Sequence, residues 1–127
     1  MLIDSNIIIY ATQPESTHLR LFLSNQNQLN VSIISKIETL GYHKLSTKQK
    51  YHLEDFFKSI NIFQVDDAVT EQSIQLRQKE NIPLADAIIA ATALVFKLSL
   101  VTRKVNDFKS IAGLKIIDPF STKLKLK

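Results

Sequence analysis

Short strand-like runs alternate with longer segments of helical periodicity along this 127-residue chain. The strand-like runs cover residues 1–3, 29–32, 60–65, 98–102 and 114–117, and most of them end at polar or acidic residues. Short apolar runs separated by helical patterns are typical of buried parallel strands joined by crossover helices. The pattern therefore predicts an α/β fold, a three-layer α/β/α sandwich whose central parallel sheet has four to five strands.

Helix start signals occur between these runs. A short helix is expected from near Ser5, a second from Pro14, a third from about residue 33, and a fourth after the serine-x-x-glutamine capping box that begins at Ser46. A fifth helix is capped by the acids at 66–67 and extends to about residue 79. Its inward side chains are expected to be Val69, Ile74 and Leu76.

The stretch from Pro83 to Phe96 is predicted to form a helix that is apolar nearly all round, which indicates burial on most sides. It holds one carboxylate, Asp86, in its first turn. An acid there can simply complement the positive end of the helix dipole, an effect of about 0.3–1 kcal/mol. A functional interpretation requires other carboxylates that fold up against Asp86.

Composition and charge narrow the class of protein. The length predicts one domain, which we assign to residues 1–120, followed by a basic tail at 121–127. No cysteine is present, which excludes disulfides and thiolate metal sites and favours a cytoplasmic protein. No apolar run reaches about 18 residues, so neither a membrane span nor a secretory leader is expected. The net charge is +4, and eight basic residues against two acids from residue 97 onward suit a polyanionic partner or a solvated surface.

Three further acids follow predicted strands. Asp4 ends the first strand, Glu38 lies in the helix after the second, and Asp107 lies in a polar turn after the fourth. Each has a simple structural explanation as well. Asp4 can be a turn or cap residue, and Glu38 can complete a capping box with Ser35, unless Ser32 is the cap and leaves Glu38 free.

Parallel strands that precede helices all end at one edge of a sheet, so these acids are expected to converge there with Asp86. Four carboxylates at one place repel each other, and a hard divalent cation relieves that repulsion. Ligation by oxygen alone indicates Mg²⁺ or Mn²⁺. In the absence of metal, the repulsion predicts that neutralising Asp86 raises the melting temperature.

Four motifs in this order resemble the PIN-domain family, and most closely the VapC-type ribonuclease toxins of prokaryotic type II toxin–antitoxin pairs. The motifs are Leu2-Ile3-Asp4-Ser5-Asn6, Ser35-x-x-Glu38, Leu84-Ala85-Asp86-Ala87-x-Ile89-Ala90-Ala91-Thr92-Ala93, and Leu100-Val101-Thr102-Arg103 followed by Asp107-Phe108. Each motif is weak alone, but the four together span nearly the whole chain. The resemblance implies a metal-dependent endoribonuclease that forms a homodimer and binds a cognate antitoxin.

The resemblance also implies roles for individual residues. Catalytic positions fall on Asp4, Glu38, Asp86 and Asp107, of which Asp4, Asp86 and Asp107 would hold Mg²⁺ or Mn²⁺. Polar supporting positions fall on Asn6 and Thr102. Charge suggests that Arg103, Lys104 and Lys109 bind RNA phosphates. One departure concerns Lys104, which stands where the family often has asparagine.

Other classes of protein fit less well. A phosphoryl-receiver module or a haloacid-dehalogenase-like phosphatase would need a second acid after the first strand, where this chain has Ser5 and Asn6. A non-catalytic PIN-like module that binds RNA or another protein is the remaining alternative. Such relatives usually lack one or more of the acids, and this chain keeps all four.

Overall fold

The structure is a computed structural model that describes residues 1–121. Within that range the chain forms one five-stranded sheet in the order β3-β2-β1-β4-β5, with every neighbouring pair parallel. The strands are β1 Leu2–Ile3, β2 Asn30–Ser32, β3 Asn61–Phe63, β4 Leu100–Val101 and β5 Ile116–Ile117. The helices are α1 Ser5–Ala11, α2 Thr17–Ser24, α3 Ile33–Leu40, α4 Thr47–Lys58, α5 Asp67–Lys79, α6 Leu84–Val95 and α7 Val105–Phe108.

Successive residues of the central strands point to opposite faces of the sheet, and this alternation creates two cores. Leu2 and Leu100 pack with α5 and α6 on one face. Ile3 and Val101 pack with α1, α2 and α4 on the other face. β1 and β4 are buried on both sides, and their residues are accordingly all apolar. The predicted three-layer α/β/α sandwich is confirmed, with five strands.

The sheet has a topological switch point between β1 and β4. From β1 the chain adds β2 and β3 on one side, then crosses back to place β4 and β5 on the other side. In open α/β sheets, ligands bind outside the carboxyl ends of the strands at such a point. Ile3 pairs with Val101, so the next residues, Asp4 and Thr102, lie side by side at this edge.

Helix α6 forms one wall of the switch point. Its residues from Asp86 to Ala93 are all buried, and the helix packs against α5. The sequence explains this burial, because small alanine side chains allow close approach on every side. Asp86 is therefore a carboxylate held inside the packed part of the molecule, with only 7% of its surface exposed.

Most helix starts are as predicted. Ser46 forms the capping box with Gln49, Asp66 caps α5, and Ser32 caps α3, which leaves Glu38 outside a capping box. Two expectations were wrong. Helix α2 begins at Thr17 rather than at Pro14, and Ile74 is 46% exposed rather than inward.

The remaining sequence predictions concern the tail and the membrane. Residues 122–127 of the predicted basic tail lie outside the described residues. Between residues 1 and 121, no helix combines the length and apolar character that crossing a membrane requires.

Candidate active site at the carboxyl edge of the sheet

Asp4 is the most enclosed acid at the switch point. It caps α1, and its Oδ1 accepts a hydrogen bond of 2.8 Å from the backbone N–H of Ser5. Its Oδ2 accepts a hydrogen bond of 2.7 Å from Thr102 Oγ1. Asp4 is 1% exposed and Thr102 is fully buried, so neither side chain can change partner without disturbing the core.

The surroundings of Asp4 disfavour its negative charge. Burial raises the pKa of Asp4, and the nearby carboxylate of Asp86 raises it further. The hydrogen bonds from Thr102 and Ser5 and the positive charge of Lys104 lower the pKa, but they do not outweigh burial. A cation placed beside Asp4 would therefore relieve an existing electrostatic cost.

Lys104 supplies a positive charge at this place. Its Nζ donates a hydrogen bond of 2.9 Å to Asp86 Oδ1, and the two groups form an ion pair. Its backbone N–H donates to Thr102 Oγ1 at 3.0 Å, which fixes the start of its side chain. The ammonium also lies 5.6 Å from the centre of the Phe108 ring. Lys104 therefore contacts a carboxylate in the structure, and its predicted contact with an RNA phosphate stays a prediction.

Three of the predicted catalytic acids act on this one ammonium. Burial lowers the pKa of Lys104, but the hydrogen bond to Asp86 and the charges of Asp4, Asp86 and Asp107 outweigh burial and raise it. Lys104 is accordingly a cation at neutral pH. Neutralising Asp86 would relieve its repulsion with Asp4 but would also break the ion pair with Lys104, so the predicted rise in the melting temperature of the metal-free protein is no longer expected.

Glu38 reaches the site from α3 through Ser5. Ser5 Oγ lies 2.7 Å from Glu38 Oε1 and 2.9 Å from Ser35 Oγ. An ionised carboxylate can only accept, so the single hydroxyl proton of Ser5 is donated to Glu38, and Ser35 provides the proton between the two serines. Unlike Asp4 and Asp86, Glu38 is exposed.

Ser5 and Ser35 were not assigned to the site from the sequence. Both residues lie within motifs that point to the site, Ser5 directly after Asp4 and Ser35 three residues before Glu38. On helix α3 that spacing puts Ser35 and Glu38 on one face. This geometric signal was available, but it was interpreted only as a possible helix cap.

The other predicted residues make fewer contacts with the acids of the site. Asp107 is exposed on α7, and Lys109 is exposed directly after that helix. The Arg103 guanidinium carbon lies 4.3 Å from the Phe120 ring centre and 5.2 Å from that of Tyr10. Asn6 lies in the first turn of α1, and its Oδ1 is buried without a hydrogen-bond partner among the described residues. Such an acceptor is commonly satisfied by bound water.

The donor set fits a cation. Asp4, Asp86 and Asp107 offer only oxygen, which suits Mg²⁺ or Mn²⁺, and an ammonium group already stands among them as a positively charged substitute. In the arrangement seen for residues 1–121, no three acidic or histidine side chains are close enough to hold a metal ion. Metal binding would therefore require the Lys104 ammonium to leave and the exposed Asp107 side chain to turn towards Asp4 and Asp86, which are held by burial.

Comparisons with known proteins agree on one family. A sequence model described as PIN domain matches residues 1–114. A toxin–antitoxin complex from Klebsiella pneumoniae contains a chain 30% identical to this one, with a TM-score of 0.80 and coverage of 94% of this chain and 98% of that chain.

Two further solved structures are similar over nearly their full length. One is VapBC2 from Rickettsia felis bound to a DNA fragment from their promoter, with 26% identity, a TM-score of 0.74 and coverage of 91% and 96% of the two chains. The other is FitAcB from Neisseria gonorrhoeae, with 26% identity, a TM-score of 0.76 and coverage of 94% and 97%. No match was found among curated protein sequences.

Proposed function

We propose that this chain, which belongs to the PIN domain family, is a Mg²⁺- or Mn²⁺-dependent endoribonuclease and the toxin of a toxin–antitoxin pair. The observation that carries the proposal is the carboxylate pocket, the group that Asp4, Asp86 and Asp107 form at the switch point. Asp4 and Asp86 are buried, and the charge of the exposed Asp107 acts on the same Lys104 ammonium as theirs. Burying acids together is costly, and a site that binds a cation explains the cost.

Asp4, Asp86 and Asp107 are the residues that would hold the ion. When bound, the ion would lower the pKa of a water molecule and stabilise negative charge that develops on the phosphate. Thr102 keeps Asp4 in one orientation by its 2.7 Å hydrogen bond, and the buried acceptor of Asn6 could take a hydrogen bond from a nearby water.

Glu38 is the candidate general base. It is exposed, and Ser5 orients it through a 2.7 Å hydrogen bond. Glu38 would accept a proton from the attacking water, whose oxygen then bonds to phosphorus. The bond from phosphorus to the ribose 3′-oxygen breaks, and that oxygen takes up a proton from solvent. Because water is the nucleophile, the ribose 2′-hydroxyl is not consumed, and the products would carry a 5′-phosphate. Arg103 and Lys109 are exposed near the pocket and would bind flanking phosphates.

The similar structures support the proposed partners. The Klebsiella pneumoniae structure is a toxin–antitoxin complex, and its chain is covered almost completely by this one. We therefore propose an antitoxin as a protein partner that covers the acidic pocket, and a homodimer as the assembly that the family resemblance implies. An RNA substrate of this kind would place the activity in the cytoplasm.

A second candidate is a non-catalytic PIN-like module that binds RNA or another protein. The observation that favours it is Lys104, whose ammonium neutralises Asp86 as a permanent countercharge would. Such a module would bind RNA through its basic residues without cutting it.

The test is cleavage of single-stranded RNA by the purified wild type, Asp4→Asn and Asp55→Asn, with Mg²⁺, with Mn²⁺ and with a chelator. Asp55 is an exposed acid on α4, so its variant matches the charge change outside the pocket. We expect wild type and Asp55→Asn to cleave only with metal, and Asp4→Asn to lose about a hundredfold or more of the activity. Equal cleavage by Asp4→Asn would overturn the nuclease proposal, and binding without cleavage by the wild type would favour the second candidate.

A further inference from the structure

We propose that the Lys104 ammonium and a divalent cation are alternative occupants of the same carboxylate pocket, so that Lys104 is a built-in competitor that sets how tightly this chain binds metal. The inference rests on the proposed function for the identity of the ion. It goes further by assigning to Lys104, which departs from the family's usual asparagine, control over whether the site is open.

The first argument is distance. Lys104 Nζ lies 2.9 Å from Asp86 Oδ1. An ion that bound the same oxygen at about 2.1 Å would lie no more than about 5 Å from the ammonium. Two cations that close repel strongly in a partly buried site. Asp86 can therefore hold one of them well, but not both.

The second argument is mobility. Asp4 and Asp86 are buried and fixed, whereas 38% of the Lys104 side chain is exposed. The backbone N–H of Lys104 is held by Thr102, so the ammonium can leave by rotation of its flexible four-carbon stem while the backbone stays in place. The exchange of ammonium for metal ion thus needs a side-chain movement and no rearrangement of the fold.

The competition has a measurable size. A ligand that binds only the open form has its apparent affinity reduced by the fraction of molecules that are open. The ion pair is screened by solvent because 38% of the Lys104 side chain is exposed, so it keeps the open fraction at about a fifth. Metal affinity should therefore be weaker by about fivefold than in a chain without the lysine charge.

The displaced Lys104 ammonium could also bind substrate. Once released from Asp86, the ammonium remains tethered to the chain next to Arg103, where it would be available to an RNA phosphate. This would reconcile the phosphate contact predicted from sequence with the carboxylate contact in the structure. Without metal, Lys104 would bind Asp86, and with metal bound it would instead bind an RNA phosphate.

The first measurement is Mn²⁺ affinity by titration, followed by electron paramagnetic resonance, for wild type, Lys104→Met and Lys115→Met. Lys115 is exposed directly before β5, at the opposite edge of the sheet, so its variant removes an equal charge away from the pocket. We expect Lys104→Met to bind Mn²⁺ about fivefold more tightly than wild type, and Lys115→Met to bind like wild type. Equal affinity in Lys104→Met and wild type would overturn the inference.

The second measurement uses wild type alone, so it does not depend on a variant that folds. Lysines are labelled with an amine-reactive reagent, with and without saturating Mg²⁺, and the modified peptides are quantified by mass spectrometry. We expect metal to increase labelling of Lys104 severalfold while Lys115 is unchanged. Unchanged or reduced labelling of Lys104 would mean that ammonium and metal coexist, and the inference would be wrong.

Neither result depends on RNA cleavage. If metal displaces Lys104 and RNA is never cut, the inference stands and the nuclease proposal falls. If RNA is cut in a metal-dependent way and Lys104 is not displaced, the nuclease proposal stands and the inference falls.

Discussion

The side chains of the site divide into two halves that are held in place in different ways. The buried half consists of Asp4, Asp86 and Thr102, which are at most 7% exposed and lie at strand ends or inside a packed helix. The exposed half consists of Glu38 and Asp107, both of which are open to solvent. The backbone of the fold fixes the first half. The second half is oriented by side-chain contacts and by charge.

This difference indicates where the site is rigid and where it can adjust. A side chain at a strand end moves only if the sheet moves, because backbone bonds such as Asp4 N–H to Val101 O at 2.9 Å hold it. Glu38, by contrast, depends on one hydroxyl of Ser5. We expect changes in the buried half to cost folding stability, and changes in the exposed half to affect activity with little change in stability.

The largest effect on stability is expected for Thr102→Val. The change removes a buried donor to Asp4 and the acceptor for the Lys104 backbone N–H. Leaving a buried carboxylate oxygen without a partner should lower the free energy of unfolding by about 2–3 kcal/mol. The measurement is urea unfolding of the metal-free protein.

Thr92→Val is the matched control for that experiment. Thr92 is equally buried, but its hydroxyl donates only to the Ile88 carbonyl within α6. Loss of this hydroxyl should lower the free energy of unfolding by less than about 1 kcal/mol, because the Ile88 carbonyl keeps its helical hydrogen bond. If Thr102→Val and Thr92→Val lower the free energy of unfolding equally, the hydrogen bond to Asp4 stabilises the protein no more than any buried hydroxyl does.

The buried half was the part of the site that sequence could predict. Asp4 and Thr102 directly follow strand-like runs, and parallel strands place their ends together whatever the details of side-chain packing. Asp86 was predictable for a related reason, because a helix that is apolar all round must be buried. The fold class followed from the same periodicities.

The exposed half was predictable only as a list of residues. The contact of Ser5 with Glu38 joins side chains 33 positions apart, and that of Lys104 with Asp86 joins side chains 18 positions apart. Nothing in the local pattern specifies which rotamers meet across such separations. The predictions for Ile74 and for the start of α2 were wrong for a similar reason. Tertiary packing decides which face of a helix is covered and where the helix begins.

The second prediction tests the ion pair between Lys104 and Asp86, an acid of the buried half. Asp86→Asn removes the partner charge of Lys104, so it should lower stability by about 1 kcal/mol, which is modest because Lys104 is 38% exposed and its charge is screened by solvent. The measurement is the melting temperature of the metal-free protein, which should fall in the variant. A higher melting temperature in Asp86→Asn would contradict this prediction. It would mean that the repulsion between the acids outweighs the ion pair with Lys104.

A double-mutant cycle separates the two causes. In a Lys104→Met background Asp86 has lost its countercharge, so Asp86→Asn should there be neutral or stabilising. The sign of its effect should therefore reverse between the two backgrounds. The same loss of stability in both would mean that Asp86 is retained for its place at the start of α6, through the helix dipole.

The smallest effect is expected in the exposed half, for Ser5→Ala. The backbone N–H of Ser5 still caps Asp4 in this variant, so the buried half is unchanged and stability should stay within about 0.5 kcal/mol of wild type. Glu38 loses its donor and samples other orientations, which should lower kcat for RNA cleavage about threefold, the kinetic equivalent of one weak hydrogen bond. Because Ser5 is not expected to touch RNA, KM should not change.

Ser5→Thr keeps the hydroxyl and should restore kcat, whereas Ser35→Ala should have a smaller effect because it leaves the bond from Ser5 to Glu38 in place. A fall in stability comparable to that of Thr102→Val, or a change confined to KM, would contradict the division of the site into a fixed half and an adjustable half.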